Sequence, residues 1–210
     1  NYVTKLANRD GNLIEGKARY GSYNDRQLAA GTNQKLGESN YLRLDVNGSA
    51  MDGWSDGTER KAWQAAGSWL ADLTPQLSST VALEYQYENV DRPYWGTPVL
   101  RPFSGEVGID NGTRFKNYNS QDGLYKQTVK WGRWILEYRE DDTLSLRNTF
   151  YHYDALRDYQ NVETYTFNAN NTRVVRSNAL LQRHDQNLNG NRTELNWNTQ
   201  IAGLPSNWLG

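Results

Sequence analysis

Residues 78–88 alternate strictly between two kinds of side chain. A period of two is typical of a β-strand whose faces meet different surroundings. One face carries Val81, Leu83, Tyr85 and Tyr87, and the other carries Ala82, Glu84, Gln86 and Glu88. The alternation then stops between residues 89 and 122 and returns at Trp134, Leu136 and Tyr138. The chain is therefore predicted to form two-faced strands, two of them joined by a long loop of the kind that is usually functional.

The low apolar content limits which folds this pattern can build. Only 37% of the residues are hydrophobic, and the mean hydropathy is -0.89. That is very polar for a protein that buries one sealed core. No apolar run approaches the roughly 18 residues of a spanning helix, which excludes a helical membrane protein. A membrane barrel needs an apolar residue only at every second position and stays possible.

Charge and cysteine content exclude several functions. The net charge is -1 and no basic patch is present, so nucleic acid is not an expected partner. The absence of cysteine excludes disulfides, thiolate chemistry and cysteine metal sites. With 8 Trp and 14 Tyr against 4 Phe, the aromatic residues favour membrane boundaries or ligand-binding surfaces. Because the first residue is Asn1, the chain is expected to begin within a longer protein.

The predicted connections between strands differ in length according to whether they are even- or odd-numbered along the chain. About nine strands are expected, several of ten residues or more, which suits tilted crossing of a bilayer. The second, fourth, sixth and eighth joins are short, and the third, fifth and seventh are longer; the first is short as well. The short joins are placed at Ser22, Gly37, Thr74, Asp141 and Asn189, and the longer ones at Gly53, Pro98 and Asn161. Membrane barrels have short turns at one end and long loops at the other. An odd strand number indicates a piece of a larger barrel.

The alternation also predicts which way side chains face. The fold class is all-β, an antiparallel up-and-down meander forming a partial transmembrane β-barrel. Its outward face is expected to carry Leu42, Leu44, Val46, Val81, Leu83, Leu136 and Leu195, with an aromatic girdle of Trp63, Trp69, Tyr85, Tyr87, Trp134, Tyr138 and Trp197. The inward face is expected to carry Arg43, Asp45, Glu84, Glu137 and Glu194.

Four segments resemble the TonB-dependent outer-membrane siderophore receptors. Residues 1–5 resemble the last strand of the plug domain in that family, and 20–23 resemble the first barrel hairpin, whose loop is short there too. Residues 41–45 resemble the third strand. The most specific match is Asp91-Arg92-Pro93-Tyr94-Trp95-Gly96-Thr97-Pro98, which resembles the early third extracellular loop.

This resemblance implies both architecture and activity. Residues 1–10 would end the plug, and residues 11–210 would form the first two-fifths of a barrel of about 22 strands. The intact protein would lie in the bacterial outer membrane, in contact with its lipid, and import ferric-siderophore complexes. Its energy-coupling partner, the TonB complex, would bind an upstream segment that is not in this chain. No resident cofactor is expected.

The loop between residues 89 and 122 holds the candidate ligand-binding residues. Aromatic faces offer a large, rigid contact surface, and arginine adds charge-assisted hydrogen bonds to anionic oxygens. This mixture suits an anionic, ring-bearing ferric chelate. The candidates are Arg92, Tyr94, Trp95, Arg101, Phe103 and Tyr118. The alternative for each of these residues is a structural role, either in packing of the loop or in an interfacial girdle.

Enzymatic and metal sites find little support in the sequence. His152 and His184 lack ligand spacing and are expected to be solvated or to face the lumen. Glu84 and Glu88 lie four apart on one strand face, about 13 Å, too far for paired glycosidase carboxylates. No catalytic residue and no metal site are predicted. The alternatives to a receptor are a soluble β-rich carbohydrate-binding protein or glycosidase, which would bury its apolar face against a second sheet, and a passive porin.

Overall fold

The computed structural model describes residues 5–102, 105–202 and 204–210. They form one nine-stranded sheet in which each strand pairs antiparallel with its sequence neighbours. The strands are β1 (Leu13–Gly21), β2 (Asp25–Lys35), β3 (Asn40–Met51), β4 (Glu59–Asp72), β5 (Leu77–Asp91), β6 (Leu124–Arg139), β7 (Leu144–Phe167), β8 (Val174–Ile201) and β9 (Leu204–Leu209). The predicted antiparallel meander with open edges is confirmed. No helix among the described residues is long and apolar enough to cross a membrane.

The register confirms the two predicted faces. Paired residues in a sheet point the same way, and one row runs through Leu42, Trp69, Val81, Trp134 and Phe150. The face defined by this row is called the apolar face. Its large side chains are exposed, among them Leu44, Val46, Leu83, Leu195 and the predicted girdle residues Trp63, Trp69, Trp134, Tyr138 and Trp197. The opposite, polar face carries Arg43, Asp45, Glu84, Glu137 and Glu194 as predicted.

Ion pairs organise the polar face. Arg43 is buried and contacts Glu15 and Asp45, with its Nε donating to Asp45 Oδ2 at 2.7 Å. Gly31 leaves the space that these carboxylates occupy, since a Cβ there would collide with Asp45. Arg133 donates to Glu84 across two neighbouring strands. Arg43, Arg133 and Glu84 are largely buried, so each of these three charges depends on its partner.

Two predicted connections are wrong. The Asn187–Gly190 turn does not exist, because β8 runs unbroken from Val174 to Ile201. Gly190 sits opposite Tyr151, whose ring occupies the place of a side chain, so glycine serves packing within the strand here. The predicted long loop at Asn161 is also absent, since β7 continues to Phe167 and a short turn follows. The strand count of nine is nevertheless reached, because residues 204–209 form β9.

The segment 5–12 crosses the polar face without joining the sheet. Ala7 N donates to Ser68 Oγ at 2.7 Å, and Asn33 Nδ2 donates to the carbonyls of Asn8 and Gly11. Arg9 binds Asp72 with both Nε and a terminal nitrogen. These contacts lie at the end of the sheet where the joins between strands are short. The predicted plug strand at residues 1–5 falls almost entirely outside the described residues, so that assignment and the domain boundary at residue 10 stay predictions.

Candidate functional site

Three connections meet at the other end of the sheet. They are residues 52–58 after β3, residues 92–123 after β5 and residues 168–173 after β7. The backbone N of Asp56 donates to Phe115 O at 2.9 Å, which joins the first connection to the second. Val99 forms a β-bridge with Thr166, which joins the second to the extension of β7. The long loop therefore packs against the two other connections. We call the described residues of these three connections the loop layer.

Arg92 holds the base of this layer. It adopts a left-handed backbone conformation, with φ 46°, just after β5 ends. Its guanidinium donates to Asn117 O at 2.9 Å, while Asn117 Nδ2 donates back to Arg92 O at 2.7 Å. Thr58 Oγ1 donates to the same carbonyl at 3.0 Å. The arginine side chain is thus used within the protein, and strain in its backbone is offset by a reciprocal set of hydrogen bonds.

Asn119 joins the loop to β7. Its side chain is 1% exposed, and Nδ2 donates to Pro93 O at 2.9 Å. Its Oδ1 accepts from Ser120 N at 2.8 Å and from Val162 N at 2.9 Å. One buried amide therefore satisfies three backbone groups from three segments. Such groups would otherwise lose hydrogen bonds on burial.

Arg101 ties the loop to the turn after β7. Its backbone N donates to Asn171 Oδ1 at 2.8 Å, and Asn171 Nδ2 donates to Arg101 O at 2.7 Å. Its Nε donates to Phe167 O at 3.0 Å. Both arginines chosen from the sequence thus make structural contacts in the loop layer.

Aromatic side chains cover the layer. Trp54 meets Tyr94 edge to face at 4.5 Å between ring centroids, and Phe115 at 6.1 Å. Trp95 meets Tyr159 of β7 at 5.9 Å. Trp54, Trp95 and Phe115 are 41%, 47% and 48% exposed. We call these three residues the exposed loop aromatics, since they offer ring surface at the open end of the sheet.

Charged groups border the exposed loop aromatics. The Arg114 guanidinium lies 5.2 Å from the centre of the Phe115 ring. Lys116 Nζ donates to Asp56 Oδ2 at 2.9 Å, and this hydrogen bond raises the pKa of Lys116. Burial, and then the charge of Asp110, raise the pKa of Tyr118. The site thus combines aromatic area with fixed cationic groups.

The structure places the described candidate residues in one layer, but they differ in exposure and in the residues that they contact. Trp95 is exposed, Tyr94 is half-buried beneath Trp54, and Tyr118 packs on Tyr165 at 6.2 Å. Phe103 lies outside the described residues. Trp54 and Phe115 were not among the predicted ligand-binding residues. The glycines around Trp54 indicate a loop in the sequence. The contact of Trp54 with Tyr94, forty residues further along the chain, becomes visible only in the folded structure.

The residues considered for catalysis are kept apart by the fold. Glu84 pairs with Arg133, whereas Glu88 pairs with Arg60 at 2.6 Å. His152 Nδ1 lies 2.8 Å from Asn189 Oδ1 on the apolar face, and His184 contacts Arg157 on the polar face. Across residues 5–102, 105–202 and 204–210, no three His, Asp or Glu side chains are grouped as metal ligands would be.

Comparison with known proteins places the fold. No protein-family model matches the chain, and no curated protein sequence matches it. Solved structures do. The ferric-catecholate import receptor Fiu from Escherichia coli K12 has a TM-score of 0.77 at 19% identity, over 94% of this chain and 33% of that one. The siderophore receptor PiuA from Acinetobacter baumannii has a TM-score of 0.76 at 20% identity, over 95% of this chain and 29% of that one.

A third structure extends the same result. The ferripyoverdine receptor of the outer membrane of Pseudomonas aeruginosa, bound to ferripyoverdine, has a TM-score of 0.79 at 15% identity, over 98% of this chain and 27% of that one. The chain therefore spans between 27% and 33% of the length of these receptors. The predicted resemblance is confirmed at the level of the fold: the nine strands match part of a siderophore receptor's barrel wall.

Proposed function

We propose that this chain forms part of the wall of an outer-membrane receptor that imports ferric-siderophore complexes, and that its loop layer takes part in ligand capture. The observation that carries the proposal is the match of nearly the whole chain to the folds of several siderophore receptors, one of them a ferric-catecholate import receptor. The TonB complex would supply energy through a segment upstream, as the sequence resemblance implies. The proposal makes the chain a transporter rather than an enzyme.

The apolar face supports a membrane-crossing wall. Exposed apolar side chains cover it from β1 to β8, among them Tyr20, Leu44, Leu83, Trp134 and Leu195. Strands that cross a bilayer present such a face to lipid.

The soluble alternative fits the described residues less well. A sandwich protein would bury this face against a second sheet. Instead, the described strands form one sheet, and Leu83, Leu44 and Trp69 are exposed on it. Lipid in the outer membrane would cover such a face, and the girdle aromatics suit its boundaries. A passive porin remains the rival within membrane proteins.

The loop layer supports a place in ligand capture. The exposed loop aromatics supply ring surface, and Arg114 supplies a cation beside it. The predicted residue Tyr94 packs against Trp54, Tyr118 packs on Tyr165, and Arg92 and Arg101 hold the loop in place. Ring stacking and cation–π contacts suit an anionic, ring-bearing ferric chelate.

Ligand binding by the intact receptor tests the proposal. Radio-iron-labelled ferric tris-catecholate and ferric tris-hydroxamate complexes are offered to cells that carry the receptor. We expect at least one complex to bind. In the Trp95→Ala, Phe115→Ala double variant, binding should weaken about tenfold, which corresponds to about 1.4 kcal/mol for two lost ring contacts.

The control removes an aromatic residue of the apolar face. Trp69→Ala changes an exposed ring three residues from the end of β4 at the short joins, and should leave the dissociation constant unchanged. A dissociation constant for the double variant within about twofold of wild type would make the loop aromatics structural. Absence of binding by the wild-type receptor to every complex would contradict the import function itself.

A further inference from the structure

Cationic side chains border the apolar face at its loop end, the end of the sheet where the loop layer lies. One row of paired residues on this face runs through Arg26, Ala50, Lys61, Asn89 and Lys126. Lys130 lies on the same face, four residues further along β6. Arg26, Lys61, Lys126 and Lys130 are all exposed, and we call these four residues the cation border.

Charge is distributed unevenly along the apolar face of β2 to β6, all of whose residues the structure describes. Against the four cations of the cation border, the alternation places two carboxylates on this face, Glu59 and Asp91. These two pair in register and lie two residues nearer to the loops than Lys61 and Asn89. At the end with the short joins, no charged side chain of β2 to β6 lies on this face. The apolar side chains therefore meet cations at one end only.

The cations of the border remain available to an external anion. Among the described residues, Arg26 forms no ion pair. Lys61 Nζ lies 3.5 Å from Glu59 Oε2, and Lys130 Nζ lies 3.7 Å from Asp154 Oδ1. The two lysine side chains are 64% and 63% exposed. Ion pairs as open to water as these contribute little, so both ammonium groups can exchange their partner for a stronger anion.

Aromatic rings lie next to the cation border, on the side of the short joins. Lys126 Nζ is 5.9 Å from the centre of the Tyr87 ring. Trp63 lies beside Tyr87 at 6.5 Å between ring centroids and stacks on Tyr85 at 4.6 Å. Trp and Tyr gather where a membrane meets water, because their rings are apolar and carry one polar group. The rings mark the level at which lipid tails end, and the cation border lies on the headgroup side of it.

The spacing of the border suits phosphate groups. Arg26, Lys61 and Lys126 lie on alternate strands, so their backbones are about 10 Å apart. The residues between them, Ala50 and Asn89, have short side chains. Lys and Arg have long, flexible stems, so two neighbouring cations can reach one phosphate group between them. Each would then contribute a charge-assisted hydrogen bond to a phosphate oxygen.

We propose that the cation border binds the phosphate groups of an anionic lipid in the membrane leaflet at the loop end. The inference rests on the proposed place of the chain in an outer membrane. A headgroup shared by both leaflets would favour cations at both ends of the apolar face, whereas they lie at one. Anionic lipid attracts each nearby Lys or Arg. Bound lipid would thereby fix the height at which the loop layer stands above the membrane.

Lipid binding by the intact receptor tests the inference. The probe is lipid A, a phosphorylated glycolipid, and the reference is the same lipid without its phosphates. The receptor in neutral detergent is titrated with each lipid, and bound lipid is counted by native mass spectrometry. We expect lipid A to bind about tenfold more tightly than the reference. In Lys61→Gln with Lys126→Gln, affinity for lipid A should fall about thirtyfold, which corresponds to about 2 kcal/mol for two cations.

Two matched variants separate charge from side-chain loss. Lys61→Arg with Lys126→Arg keeps both charges and should bind lipid A within about threefold of wild type. Lys17→Gln with Lys35→Gln makes the same change of charge on the polar face, where both lysines are exposed. That variant should bind lipid A as wild type does. Since all four lysines are exposed, the unfolding temperature without lipid should match wild type throughout.

Each result supports or overturns the lipid site. Equal affinity of the wild type for lipid A and the reference overturns it, and so does an equal loss in the polar-face variant. Displacement of lipid A by millimolar inorganic phosphate would assign the cation border to the free ion and also overturn it. The titration contains no iron complex, so its failure would leave the import function standing. Failure to bind any iron complex, with lipid A still bound through the border, would overturn import alone.

Discussion

Replacing Asn119 should detach the long loop without unfolding the sheet. Asn119→Ala removes three hydrogen bonds, those to Pro93 O, Ser120 N and Val162 N. At about 1 kcal/mol net for each bond, the loop loses about 3 kcal/mol of stabilisation. Hydrogen exchange at the Val162 amide in the intact receptor should then accelerate about a hundredfold, since each 1.4 kcal/mol is worth about tenfold.

Two further variants make the reasoning testable. Asn119→Asp keeps the Oδ1 acceptor but removes the Nδ2 donor, so the Val162 amide should stay protected while the contact with Pro93 is lost. Asn187→Ala is the matched control, because Asn187 is exposed on β8. If exchange at Val162 in Asn119→Ala stays within about threefold of wild type, the loop is held by other contacts and the role assigned to Asn119 is refuted.

Two other predictions concern the end of the sheet with short joins. Asn33→Ala removes the donor to Asn8 O and Gly11 O, so hydrogen exchange at Ala7 and Asn8 should accelerate while that of β2 hardly changes. Equal acceleration in both would show that the segment 5–12 does not open independently of the sheet. Hydrogen bonds from Thr143 and Leu144 N lower the pKa of Asp141, so its contribution to stability is present above the ordinary pKa of about 3.8 and is lost as pH falls through the lower folded value. Asp141→Ala should therefore lower the unfolding temperature at pH 5, with the difference from wild type vanishing in stronger acid; a difference independent of pH would refute the turn's role.

The alternating pattern predicted most of the fold because it is a local property. In a two-faced strand, each side chain's environment follows from its position in the period of two. The assignments of Leu42 and Val81 to one face and of Arg43 and Glu84 to the other needed no knowledge of neighbouring strands, and they are confirmed. The long loop after Asp91 was also visible, as a loss of period.

Turn chemistry was a weaker guide. The Asn-Gly signal at Gly190 predicts a turn, but the ladder between β7 and β8 continues through it. The reason lies in the partner strand, where the Tyr151 ring fills the space above the glycine. A residue's local preference was overruled by a contact with a residue thirty-nine positions away (190 minus 151), which sequence periodicity does not report.

The sequence by itself determined the two faces of the wall, the residue types of the loop and the resemblance to a receptor barrel. Only the tertiary structure decided which loop residues are free to meet a ligand. In the sequence, Arg92 and Arg101 cannot be told apart from arginines that bind a ligand. In the structure, their guanidiniums donate to the carbonyls of Asn117 and Phe167. Trp54 gains its place only because two distant connections meet above the sheet. Local alternation fixes the direction of a side chain, whereas its partners are set by which segments the register brings together.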